Sequence, residues 1–123
     1  MNQEVSFETL KGKLQGEFYI DNVSRILYAT DASAYREKPM AVVVAANKND
    51  ILETIRFAAK HQIPIIPRAA GTSLAGQVVG QGIVIDISKH FRNIIELNVQ
   101  EKWVKVEPGV VLDELNKIVA KHG

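Results

Sequence analysis

The residues best suited to chemistry stand in one stretch, Pro64-Ile65-Ile66-Pro67-Arg68-Ala69-Ala70-Gly71-Thr72-Ser73-Leu74-Ala75-Gly76-Gln77. A short apolar strand leads there into small residues and hydroxyls, with one arginine at the junction. Ala69, Ala70 and Gly71 keep side chains out of the way, so backbone N–H groups can come within hydrogen-bonding distance of a bulky anion. Thr72 and Ser73 add hydroxyl donors, and Arg68 adds a permanent positive charge. These residue types in this order read as a cradle for a pyrophosphate.

Two familiar nucleotide-binding patterns do not fit the stretch. Gly71 to Gly76 has the glycine spacing of G-x-x-x-x-G-K-[ST], but Gln77 stands where the lysine belongs and Val78 where the hydroxyl belongs. The G-x-G-x-x-G fingerprint is absent, and no clean helical pattern opens behind the loop. From composition alone, a glycine-containing turn between two strands is an equal reading.

Other side chains offer less. His61, His90 and His122 are too scattered for a metal site, and no metal is expected. His61 and His122 read as positive charges at helix ends, and Asp113 and Glu114 as carboxylates in a first helical turn. Asp86 ends an apolar strand, where it could bind a ribose or cap a turn. Trp103 belongs to an alternating strand, and Tyr28 and Tyr35 anchor the segment that carries them.

The elements that must position the loop follow from periodicity. Met40 to Ala46 is a continuous apolar run with three β-branched residues, the pattern of a strand covered on both faces. Asn47 then caps a helix, with Asp50 in the capping-box position. Ile51, Ile55, Ala58 and Ala59, with Leu52 beside them, are its expected inner face, and Lys60 and His61 fill its last turn. Pro64 ends that helix and opens a second strand, Ile63 to Pro67, completing a βαβ unit with the loop behind it. Gly82 to Ile87 is a third strand. Asn93 to Asn98 and Lys102 to Glu107 alternate and read as an antiparallel hairpin. Pro108-Gly109 breaks it, and Val111, Leu115, Ile118 and Val119 form a last amphipathic helix with Gly123 as its closing glycine.

The N-terminal part reads differently. Phe7, Leu10, Leu14 and Phe18 have helical spacing behind Ser6 as N-cap, although Gly12 and Gly16 each weaken the pattern by about 1 kcal/mol. Asp21 to Pro39 is polar and irregular, an ordered connector. The expected organisation is therefore residues 1–38 as N-terminal helix and connector, and 39–123 as an α/β (α+β) unit: a small mixed sheet with a βαβ unit flanked by helices.

Composition removes several classes of function. The 123 residues match a single domain, 46% hydrophobic and 24% charged. A net charge of +1, from 15 basic and 14 acidic residues, gives no field for nucleic acid. No cysteine is present, so disulfides and thiolate metal sites are excluded within the chain. No apolar run approaches the ~20 residues that span a bilayer, and Met1 to Leu10 lacks a secretory core. The expected location is the cytoplasm, with peripheral membrane association compatible.

With these residues in view, the chain resembles the vanillyl-alcohol-oxidase/p-cresol-methylhydroxylase flavoprotein superfamily, in its branch of FAD-linked 2-hydroxy-acid dehydrogenases such as D-lactate dehydrogenase and the glycolate oxidase FAD subunit. The resemblance is carried by Pro67 to Gln77, by Tyr28-Ala29-Thr30-Asp31-Ala32-Ser33-Ala34-Tyr35-Arg36, by the strand Ala41 to Ala46, by Gly82 to Ser88, and by Val106 to Val110 ahead of Leu112-Asp113-Glu114-Leu115. It implies the N-terminal subdomain of a p-cresol-methylhydroxylase-type FAD-binding domain. Arg68, Ala69, Ala70, Gly71, Thr72, Ser73 and Leu74 would then wrap the FAD pyrophosphate. Gln77 would sit near the ribityl or isoalloxazine side, and Pro108 and Gly109 near the adenosine half. Some relatives bond the flavin through a loop histidine; Thr72 stands there in this chain, so the resemblance implies non-covalent FAD. Ala69 and Ala70 replace glycines of many relatives and are expected at negative φ. Tyr28 and Tyr35 are expected to anchor rather than stack on a flavin.

The resemblance also implies what surrounds the chain. In the family a second FAD-binding subdomain and a substrate domain follow, so the chain reads as the N-terminal fragment of a longer enzyme, inactive and weak in FAD binding by itself. The intact enzyme would oxidise a D-lactate- or glycolate-like 2-hydroxy acid to the 2-oxo acid, with hydride passing to flavin N5. Its electron acceptor would be a quinone, a cytochrome or an iron–sulfur module, with an iron–sulfur cluster possible elsewhere in the enzyme. Apolar surface left bare would favour self-association of the fragment. Two alternatives stay open: a non-catalytic phosphate- or nucleotide-binding module, and the FAD piece of another branch, such as a UDP-sugar reductase or a molybdenum hydroxylase flavin subunit.

Overall fold

Ala41, Val42, Val43 and Val44 are buried on both sides, and around that run the structure is built. A computed structural model describes residues 5–123; the first four residues of the expected N-terminal segment lie outside the described residues. The elements are α1 (Glu8–Lys11), β1 (Glu17–Tyr19), α2 (Asn22–Leu27), β2 (Ala41–Val44), α3 (Lys48–His61), β3 (Ile65–Arg68), β4 (Ile83–Asp86), β5 (Ile94–Asn98), β6 (Trp103–Val106) and α4 (Leu112–Val119), closed by a 3₁₀ turn Ala120–His122. Helices and a mixed sheet together give the expected fold class.

The main sheet has the order β1-β2-β4-β3. β4 lies parallel to both β2 and β3, and β1 runs antiparallel to β2. The βαβ unit β2-α3-β3 is present, but β4 inserts between its two strands. β5 and β6 form a separate antiparallel pair. Because β2, β3 and β4 are parallel, Val44, Arg68 and Asp86 share one sheet edge in register. In open α/β sheets the carboxyl edge is where ligands bind.

One sheet face carries Ala41, Val43, Ala45, Ile83 and Ile85 and packs on Leu10, Phe57, Ala58 and Phe91. The opposite face carries Val42, Val44, Ile66 and Val84, with Tyr19, Tyr28 and Val78 against them. The first face is closed by a helix, the second by the connector and the loop.

Several expectations need correction. Phe18 pairs with Val43 in β1 and does not continue a helix from Ser6; α1 covers Glu8–Lys11 only, with Phe7 at its N-cap and no side-chain cap. The cause is Gly16, where an added Cβ would stand 2.1 Å from the Val44 carbonyl oxygen, so backbone meets backbone there. The connector contains a helix, α2, capped by Asp21, whose side chain accepts from the Ser24 N–H at 2.9 Å.

In α3 the inner face is Asp50, Thr54, Phe57 and Ala58, while Ile55 is 46% exposed and Ala59 is exposed. Two buried polar residues rotate the face away from the apolar stripe. Asn47 caps the helix by accepting from the Asp50 N–H at 3.0 Å. The Asp50 carboxylate does not close a capping box. It accepts from Gln15, Gly16 and Ala46 N–H groups at 2.9, 2.9 and 2.8 Å, pinning the N-terminal segment to β2. A single carboxylate thus satisfies three main-chain donors.

α4 has no buried residue, and Leu112 and Ile118 are exposed, as are Ile95, Val99 and Trp103 of the hairpin. Among the described residues, no helix is long and apolar enough to cross a membrane.

Candidate functional site

Arg68 is the last residue of β3, and the loop it opens runs irregularly to β4. Ala69, Ala70, Thr72 and Gln77 are exposed, and Leu74 is 81% exposed. Gly71 has φ +69° and Gly76 φ +72°. Neither Ala69 nor Ala70 is among the residues of positive φ, as their Cβ atoms require.

The loop is knotted at its far end by Ser73. Its hydroxyl donates to Gln77 Oε1 at 3.0 Å and accepts from the Ala75 and Gln77 N–H groups at 3.3 and 3.2 Å. Both Ser73 and Gln77 are therefore turned into the loop itself, leaving Thr72 as its exposed hydroxyl. The main chain before the knot is different. Among the described residues, none of the N–H groups from Ala69 to Leu74 donates to the protein. Such exposed N–H groups are free to donate to solvent or to a bound anion.

The loop's near end is built around the Arg68 side chain. Its Nη1 donates to the carbonyls of Tyr28 and Val78 at long distances, 3.4 and 3.5 Å, and its Cζ lies 5.3 Å from the centroid of the Tyr28 ring. A Cβ added at Gly71 would stand 2.5 Å from Nη2, so the guanidinium lies directly beneath that glycine. None of the four ion pairs among the described residues involves Arg68.

Tyr28 links this end to the sheet. Its hydroxyl donates to Asp86 Oδ2 at 2.6 Å, and Asp86 Oδ1 accepts from the Ser88 N–H at 2.7 Å. Asp86 thus caps a turn at the end of β4. Burial, then the Asp86 hydrogen bond, pushes the Tyr28 phenol well above its ordinary pKa. Asp31, on the same connector, accepts from the Ser33 N–H at 2.8 Å; the Ser33 hydroxyl first, then this N–H, hold its carboxyl low, with a smaller contribution from Arg68. Its Oδ2 is buried without a partner among the described residues. Tyr28, Asp86, Ser88 and Val44 also line an open cleft of about 410 Å³ at the carboxyl edge.

Pro108 and Gly109 stand on a different element, after β6. Pro108 is exposed, and Gly109 is buried, donating to the Phe91 carbonyl at 2.8 Å. A Cβ at Gly109 would stand 2.6 Å from both the Ile87 and the Phe91 carbonyl oxygens, so packing alone requires glycine. Ile87 connects the two regions, since its N–H donates to the Arg68 carbonyl at 3.0 Å.

Sequence reasoning singled out the loop but gave Tyr28 only an anchoring part and Asp31 none. The signal available was their place in the segment Tyr28 to Arg36, one of the stretches that carry the family resemblance. Among the described residues, no group of three or more His, Asp or Glu could hold a metal ion. What the loop can hold is an anion of two or more oxygens: main-chain amides, one exposed hydroxyl and one guanidinium without an acidic partner. That donor set fits the diphosphate of FAD.

Comparison with known proteins gives the same direction. A sequence model described as an FAD binding domain matches residues 39–123. The chain is 37% identical over 112 residues to D-2-hydroxyglutarate dehydrogenase of Pseudomonas putida, 89% of this chain and 11% of that protein. It is 36% identical over 91 residues to the mitochondrial D-lactate dehydrogenase [cytochrome] of Kluyveromyces lactis, 71% of this chain and 16% of that one. Against glycolate oxidase subunit GlcD of Bacillus subtilis it is 30% identical over 104 residues, 83% of this chain and 22% of the relative. The chain thus spans a small part of the length of these relatives.

Among solved structures, 6-hydroxy-D-nicotine oxidase of Arthrobacter nicotinovorans superposes with a TM-score of 0.73 at 23% identity, over 89% of this chain and 24% of that one. p-Cresol methylhydroxylase superposes with a TM-score of 0.72 at 19% identity, over 94% and 23%. These likenesses show a shared fold.

Proposed function

The chain belongs to the FAD binding domain family, and from that premise we propose that it is the FAD-holding part of a dehydrogenase acting on a 2-hydroxy acid. The observation that carries the cofactor reading is the run of unpaired amides from Ala69 to Leu74 above an arginine with no acidic partner. Negative oxygen atoms seated there would accept from those amides and from Thr72, with the Arg68 charge behind them. Gly71 lets the main chain come close without a side chain between. Ser73 and Gln77 act by holding the loop's shape, and Pro108 and Gly109 lie toward the adenosine half.

Bound FAD would supply the redox chemistry, two-electron oxidation of a 2-hydroxy acid to the 2-oxo acid, with the hydride of the hydroxyl-bearing carbon taken at flavin N5 and the hydroxyl proton passing to a base or solvent. The cofactor is held non-covalently: the loop offers no histidine, and the chain has no cysteine. The substrate class rests on the names of the relatives, which act on D-2-hydroxyglutarate, D-lactate and glycolate. A quinone, a cytochrome or an iron–sulfur module is the class of partner that takes the electrons onward.

The test is to purify the full-length protein, measure flavin per chain, and add D-2-hydroxyglutarate, D-lactate and glycolate separately without oxygen. Loss of the oxidised-flavin absorption with one of them is expected. Flavin that none of the three reduces would refute the substrate class while leaving the cofactor reading standing.

A further inference from the structure

We infer that Tyr28 is a positioning residue for the anion loop, fixing the Arg68 guanidinium in place without neutralising it. The inference rests on the reading of that loop as an anion site. Four contacts converge on the arginine. The Tyr28 ring lies under it at 5.3 Å from the centroid, the Tyr28 carbonyl accepts from Nη1 at 3.4 Å, and Gly71 covers it from above. The Val78 carbonyl, where the chain leaves the loop, accepts from the same nitrogen at 3.5 Å.

All of these partners are uncharged. A carboxylate in their place would hold the guanidinium more tightly but would cancel its field at the loop. An aromatic face attracts the cation through its quadrupole and leaves the net charge intact. Neither Asp31, whose carboxyl feels the Arg68 charge, nor Asp86, the register partner of Arg68 on β4, forms an ion pair with it. Asp86 is used one step removed: it grips the Tyr28 hydroxyl at 2.6 Å, so the ring is tied to the end of β4. The sequence of dependence is therefore Asp86 to Tyr28, Tyr28 to Arg68, and Arg68 to the loop.

The test compares Tyr28→Phe, which keeps the ring, with Tyr28→Leu, which removes it, in the full-length protein. In the ligand-free state, the Arg68 guanidinium proton resonances should be shifted by the ring current of Tyr28. The shift should persist in Tyr28→Phe and disappear in Tyr28→Leu. ADP, which carries the adenosine and diphosphate without the flavin, is the binding probe. Tyr28→Leu should weaken ADP about tenfold and Tyr28→Phe no more than about threefold. In an Arg68→Met background, Tyr28→Leu should have no further effect on ADP affinity. Equal losses in the Phe and Leu variants, or a Leu effect that persists without Arg68, would overturn the positioning role. Absence of the ring-current shift in the unsubstituted protein would overturn it as well. If the shift is present but ADP does not bind, the positioning stands and the anion reading of the loop fails.

Discussion

Replacing Gly71 with alanine probes the geometry of the loop at the point where backbone and arginine meet. Two costs are separable. At φ +69° an alanine is in the left-handed region, which costs about 1–2 kcal/mol because Cβ approaches the following carbonyl. The added Cβ would also stand 2.5 Å from Nη2 and 2.9 Å from Cζ of Arg68, so the guanidinium must leave. Its departure forfeits the contact with the Tyr28 ring, worth about 0.5–1 kcal/mol at a partly exposed site. The sum is about 1.5–3 kcal/mol, with local opening of the loop as a ceiling. In an Arg68→Ala background only the backbone part remains, so Gly71→Ala should cost about 1 kcal/mol less there. Urea unfolding of the four proteins measures the difference through the midpoints at constant slope. An identical cost for Gly71→Ala in both backgrounds would show that the guanidinium is not beneath the glycine, and the description of the site would be wrong.

Asp50→Ala strands three main-chain donors and should cost about 3–5 kcal/mol, read by urea unfolding; a cost under about 1 kcal/mol would refute the pinning role. The stability linked to the raised pKa of Tyr28 is complete below the ordinary tyrosine range and is lost as pH rises from that range through the higher folded value, because the unfolded phenol ionises first. Absorbance titration should show the last-ionising tyrosine disappear in Tyr28→Phe, while Tyr19, raised by its hydrogen bond to Glu17, remains. Asp21 has the opposite sign. Its hydrogen bonds to Ser24 lower its pKa, so its stabilisation is complete above the ordinary carboxylate range and lost as pH falls below it. Acid unfolding should shift in Asp21→Ala; no change in the acid midpoint would count against the cap. The exposed apolar residues of α4 and the hairpin predict concentration-dependent self-association of the 123-residue chain, measurable by sedimentation.

Much of the fold was legible because its signals are local. The apolar run of β2, the Asn47 cap, the alternation of the hairpin and the apolar run of β4 each lie within a few residues. Phe18 misled because spacing at positions 7, 10, 14 and 18 is helical by coincidence, and only the contact of Gly16 with β2 decides otherwise. The α2 helix was hidden because Val23 and Leu27 are each 70% exposed, so no buried stripe marks it. The insertion of β4 between β2 and β3 is a matter of long-range pairing, which periodicity does not encode. The site divides the same way. Small residues and hydroxyls marked the loop, whereas its support by Tyr28 joins residues 40 and 58 positions apart.

The central claim is that the main chain from Ala69 to Leu74 receives the diphosphate of FAD. Amide hydrogen exchange of the full-length protein, with and without FAD and ADP, tests it most directly. The account predicts that amides of this segment exchange rapidly in the ligand-free protein and become protected by both ligands. Tight FAD binding that leaves the exchange of 69–74 unchanged would contradict it.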